Sequence, residues 1–109
     1  MKLDVSTLFQ TALNDGISAA KGHGKDLRGY LEARARLIAE GVVEMARDRA
    51  NGDIDDADVR FAFQEIRKSE KTALLAVQAT AKAAAQDAIN AMLAVAATAF
   101  NTATGLALL

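Results

Sequence analysis

Residues 53–104 read DIDDADVRFAFQEIRKSEKTALLAVQATAKAAAQDAINAMLAVAATAFNTAT, a stretch with neither proline nor glycine. Asp53, Asp55, Asp56 and Asp58 crowd its start, where the unpaired amides of a helix N-terminus favour negative charge. Beyond them Val59, Phe63, Ile66, Glu70, Leu74, Val77, Ala81, Ala84, Ala88, Met92, Val95 and Ala99 recur three and four residues apart. That rhythm is one face of an α-helix, and it predicts a single helix over about residues 55–105. At ~1.5 Å per residue, about 50 residues extend roughly 75 Å, whereas a compact chain of this size has a radius of gyration of only ~13 Å. Either the helix breaks, with Lys68-Ser69-Glu70-Lys71 the candidate point, or the molecule is elongated. An uncapped periodic pattern of this length marks a coiled coil, a membrane span or a stacked assembly, so the elongated form is expected to need a partner.

Two shorter helices precede it. Val5, Leu8, Phe9, Ala12, Leu13, Ile17 and Ala20 form a stripe over about residues 4–21, with Asp4 or Ser6 as the cap and Gly22-His23-Gly24 as the stop. Leu27, Leu31, Ala35, Ile38, Val42, Met45 and Arg49 form another over about residues 26–50, capped by Asp26 and ended by Asn51-Gly52. A short glycine-containing turn between two helices predicts an antiparallel hairpin, which would cover half of the long helix.

The uncovered half has two distinct properties. Residues 88–109 carry no charge and would reach across a hydrocarbon core of ~30 Å, with Lys68, Lys71 and Lys82 on the N-terminal flank. Yet eight of these positions are Ala, and at 100° per residue Asp87, Asn90, Thr98 and Asn101 gather opposite Ile89, Met92, Leu93, Ala96, Phe100, Ala103 and Ala107. A dedicated polar stripe suits a helix packed on a neighbour, or a membrane bundle whose polar faces meet inside it. The run of small residues from Ala73 to Ala88 permits close helix approach, at the short end of the ~8–10 Å range.

Composition removes several functions. The 109 residues hold 13 Lys+Arg against 14 Asp+Glu, so no cation excess is available to neutralise phosphates, and no nucleic-acid partner is expected. The absence of Cys rules out disulfides, a thiolate zinc site and a cysteine nucleophile. Asp4 and Asp15 interrupt the only stretch that would serve as a signal sequence, so the expected location is cytoplasmic or within a particle, with a membrane second.

Residues with chemical potential have simpler readings beside them. His23 is the only histidine and lies between two glycines in a turn; no second His exists, and a Glu-x-x-His pair for a di-metal bundle is missing. Glu40, Glu44 and Asp48 align on one helix face, but Arg36 and Arg47 stand at ion-pairing distance in sequence. Asp53, Asp55, Asp56 and Asp58 fail the calcium-loop pattern, because its glycine position is Asp58 and its closing glutamate position is Gln64. Gly22-His23-Gly24-Lys25 follows a helix instead of a strand and lacks the phosphate-loop Ser or Thr. Arg28, Arg34 and Arg36 near Tyr30 are offset by Asp26 and Glu32.

The expectation is a single all-α domain over residues 1–109: an N-terminal antiparallel hairpin packed on a long Ala-rich C-terminal helix, elongated and oligomeric. It would be a non-enzymatic assembly subunit without cofactor or metal, bound to copies of itself or to other subunits of a larger particle such as a virion, tail or secretion apparatus. Leu74, Val77, Ala81, Ala84, Ala88, Met92, Val95 and Ala99 are its expected oligomer interface, and Glu70, Asn90 and Asn101 the polar residues that fix register. The alternatives are a membrane-active, pore-forming or holin-like protein inserting through residues 88–109, and a helical adaptor for another protein.

Overall fold

The computed structural model describes residues 3–109, and every regular element among them is helical. Helix α1 spans Val5–Ala19, α2 Arg28–Ala50, α3 Asp56–Ala73 and α4 Lys82–Thr104. Single 3₁₀ turns at Lys21–His23, Leu74–Ala76 and Ala79–Ala81 lie in the connections.

The long helix expected over residues 55–105 is broken. The longest uninterrupted helical run is Ala79–Thr104, 26 residues, and the molecule measures 43 × 23 × 19 Å with a radius of gyration of 13.7 Å. It is therefore compact and not elongated. The break falls at Val77 (φ −88°, ψ 138°) and Gln78 (φ −59°, ψ 146°), both extended, and not at Lys68-Ser69-Glu70-Lys71, which stays inside α3.

Neither residue is a helix breaker, so the cause is tertiary. A continuous helix would leave Ile89, Met92, Leu93 and Phe100 uncovered, whereas folding α4 back buries all four. Each such burial is worth about 1.5–3 kcal/mol, against about 1 kcal/mol for each helical hydrogen bond given up at the break.

Helices α1, α2 and α4 pack mutually, and α3 lies along α2 with only a light touch on α4. Their shared core holds Leu8, Leu13, Leu31, Ile38 and Val42 from the two stripes read in the sequence, and Phe100 from the apolar side of residues 88–107. Arg34 meets Glu70 and Arg49 meets Asp56, so α2 and α3 run antiparallel. At the α1–α4 crossing the Ala and Gly positions set the distance. A Cβ at Gly16 would lie 2.8 Å from Met92 Cγ, so a side chain there would force Met92 to shift.

The caps follow the sequence in part. Asp4 accepts from the Thr7 amide at 2.8 Å, and Asp55 and Asp58 form a reciprocal capping box at 2.8 and 3.0 Å. Asp26 does not cap α2; the helix starts after Leu27, whose amide reaches back to the His23 carbonyl at 2.9 Å. At the first stop the left-handed residue is Lys21 (φ 53°) instead of a glycine. Gly24 is needed for proximity, since a Cβ there would sit 2.9 Å from the Ile17 carbonyl oxygen. Gly52 (φ 79°) and Gly105 (φ 72°) take the left-handed conformation without the Cβ penalty, and close α2 and α4.

Candidate functional site

Two features stand apart from the core. The first is an open groove between α1 and α4, about 790 Å³ in volume. Leu3, Asp4, Thr7, Thr11 and Asp15 form its α1 wall; Ala91, Ala94, Val95, Thr98, Ala99 and Thr102 form the α4 wall. It exists because α4 is apolar on more than the face it buries. Ala85, Ala88, Ile89, Met92, Leu93, Ala96 and Phe100 point into the bundle, and the neighbouring Ala and Thr positions remain beside them at the surface. The floor is made of methyl and methylene groups, with hydroxyls and two carboxylates at the edge. That surface can receive a second apolar body, and at its edge the Thr7 hydroxyl donates to the Asp4 carboxylate at 3.0 Å.

The second feature is a polar cluster between α2 and α3. Arg34 donates from Nε to Glu70 Oε1 at 2.8 Å and from an Nη to Oε2 at 2.9 Å, a two-pronged ion pair. Glu70 is 2% exposed and Arg34 19%, so the carboxylate depends on this partner more than the guanidinium does. The hydrogen bond to Glu70 raises the Arg34 pKa further above its ordinary value. Tyr30 lies near both; burial pushes its hydroxyl pKa up, and among the described residues that buried hydroxyl has no hydrogen-bond partner.

The residues expected at an oligomer interface divide into three groups. Leu74, Val77, Ala81 and Ala84 are half-buried around the α3–α4 junction, Ala88 and Met92 are fully buried within the chain, and Val95 and Ala99 line the groove. Of the residues expected to fix register, Glu70 pairs with Arg34 of the same chain and Asn90 is exposed. Asn101 clamps the end of the chain: its Oδ1 accepts from the Leu108 and Leu109 amides at 3.2 and 3.1 Å, and its Nδ2 donates to the Leu109 carbonyl at 3.1 Å.

The remaining polar residues are placed as follows. His23 is half-buried in its turn. Glu40 and Glu44 are exposed, and the expected pairs with Arg36 and Arg47 are not among the ion pairs of the described residues; Arg36 lies 4.5 Å over the Phe9 ring instead. Arg28 pairs with Glu32 at the surface, and Asp56 with Arg49. Among the described residues no cluster of three or more His, Asp or Glu is placed to hold a metal ion. Sequence reasoning missed the α1 wall of the groove, although Asp4, Thr7, Thr11 and Asp15 are spaced three and four apart along one line of that helix.

Comparison with known proteins yields no match, whether against family models, curated proteins or solved structures.

Proposed function

We propose that this protein is a non-enzymatic assembly subunit that associates with copies of itself through α4. The observation that supports this is the second apolar face of that helix. One face is spent on α1 and α2, while Ala91, Ala94, Val95 and Ala99 stay at the surface in the groove beside α1. Small side chains there would let a helix from another copy approach closely, as Gly16 and Met92 already do within the chain. Such a subunit carries its function in its contacts, within a bundle, ring or larger particle, and requires neither cofactor nor nucleic acid.

The mass of the protein by light scattering after size exclusion, in buffer without detergent, tests this. A discrete multimer is expected; where the groove is its contact, Ala94→Arg, which puts a long charged chain there, reduces it to a monomer with an unchanged melting temperature. A multimer that tolerates Ala94→Arg would exclude the groove as the contact.

A membrane role is the second reading, because Ala79–Thr104 is long and apolar enough to span a bilayer. The largest apolar residues of α4 are committed to the core, so insertion would require α4 to leave the bundle. Recovery of the protein only in detergent would favour it over a soluble assembly.

A further inference from the structure

The α3–α4 junction combines an unbroken helical sequence with a broken helical backbone. Residues 74–81 read LLAVQATA, with no proline or glycine, and the three-four stripe runs through them without a change of phase. Only Val77 and Gln78 are extended, and the Gln78 amide makes no hydrogen bond among the described residues. Nothing local forbids these two residues from becoming helical. What holds them extended is the docking of α4 on α1 and α2 of its own chain.

We infer that α4 is exchanged between two copies of this chain, with α3, the junction and α4 straightening into one helix over residues 56–104. The α4 of one copy would then occupy the α1–α2 face of the other, and the reverse. Every contact that α4 makes with α1 and α2 at home has an identical counterpart there, including Met92 against Gly16 and Phe100 in the core. Exchange of an identical element is a low-cost route to a dimer for that reason. The difference between the two forms is confined to the junction, where the amides around Val77 and Gln78 gain helical acceptors, and to the concentration of chains. Because α3 stays attached to α2 through Arg34–Glu70 and Arg49–Asp56, the straight helix projects from a fixed base. The inference rests on self-association as proposed above, and not on the α1–α4 groove.

Gln78→Pro separates the two forms. Its φ of −59° suits proline, Val77 before it is already extended, and the amide that proline lacks is unbonded, so the closed chain accepts it. A proline inside the straight helix is strongly unfavourable, by ~100-fold per junction, or on the order of 10⁴ for the two in a dimer. Size exclusion with light scattering is expected to show a wild-type dimer, and for Gln78→Pro a dimer dissociation constant raised by about that factor.

The chain has no native cysteine. Spin labels at Ala57→Cys and Asn90→Cys, both exposed helical sites, therefore report the hinge directly. In dimers diluted with unlabelled chain, their intrachain distance should be about 50 Å, the length of 33 helical residues. That exceeds the 43 Å long axis of the closed chain. A dimer whose affinity Gln78→Pro leaves unchanged, or whose labels stay well inside 43 Å, overturns the exchange while leaving self-association standing. A wild-type chain that stays monomeric at every concentration overturns both, and if Gln78→Pro does not fold, the label distance decides alone.

Discussion

The α1–α4 contact and the α2–α3 contact solve the same problem with different chemistry. Where α4 packs on α1 and α2, Gly16 lies against Met92 and the Ala88 carbonyl, and Ala85, Ala96, Ile89, Leu93 and Phe100 are buried with them. At α2–α3 the apolar contribution is thinner: Val59 and Phe63 are buried, Ile66 reaches Gly41, and the distal end is closed by Arg34 and Glu70. The first contact is non-directional and depends on shape, so it tolerates sliding less than it tolerates a change of partner. The second is directional and fixes which residue of α3 faces which residue of α2. One element can thus be exchanged while the other stays registered.

The sharpest way to break this contrast is to hollow out the first contact. Phe100→Ala removes the largest fully buried side chain and is expected to cost about 3–5 kcal/mol. Urea unfolding read by circular dichroism should show the whole helical signal lost at a lower midpoint; loss of only part of it would mean that α4 is not central to the core.

Next in size is the ion pair, where the two halves should differ. Arg34→Ala strands a carboxylate that is 2% exposed and is expected to cost about 2–4 kcal/mol. Glu70→Ala strands a guanidinium that can still reach water and should cost less, about 1–2 kcal/mol. The double change Arg34→Leu/Glu70→Leu should return close to the wild-type midpoint. Equal single losses would show that the pair is solvated.

The smallest effect is the response to pH, which reaches both contacts at the acid end and the α2–α3 contact at the alkaline end. The Thr7 amide holds the Asp4 carboxyl below its ordinary 3.8, and the Asp58 amide does the same for Asp55. A lowered carboxyl contributes stability that is present above 3.8 and lost as pH falls through the folded value. The raised Tyr30 hydroxyl works in the other sense: its contribution is present below 10.0 and lost as pH rises through the higher folded value. Melting temperatures should therefore fall below about pH 4 as α1 and α3 lose their caps, and above about pH 10 as Tyr30 ionises beside Glu70. A flat acid limb would remove the caps from the account.

Much of this was legible from the residues alone. The stripes of α1 and α2 supplied most of the core, Asp55 and Asp58 of the four acids became a capping box, and the wheel of residues 87–107 separated Ile89, Met92, Leu93, Ala96 and Phe100 from Asp87 and Asn90 as the structure does. The bend at Val77 and Gln78 was not legible, because both residues accept helical geometry and the force that bends them comes from α1 and α2. Glu70 stood out as the one charge on the stripe of residues 59–99, but Arg34 looked like part of a solvated face; only the α2–α3 register joins them. The groove was half legible: its α4 wall contains Val95 and Ala99 from the stripe, while its α1 wall is made of polar residues that a search for apolar periodicity passes over.

The seating of Met92 against Gly16 has a chemical consequence. The thioether is sealed, and an oxidant in solution meets it only when α4 lifts away from α1. Once oxidised, it carries a polar sulfoxide, which is disfavoured in a fully buried site against Gly16. Each opening in a peroxide-containing solution thus risks becoming permanent, and the fraction of sulfoxide at Met92 is a cumulative record of how often the bundle has opened.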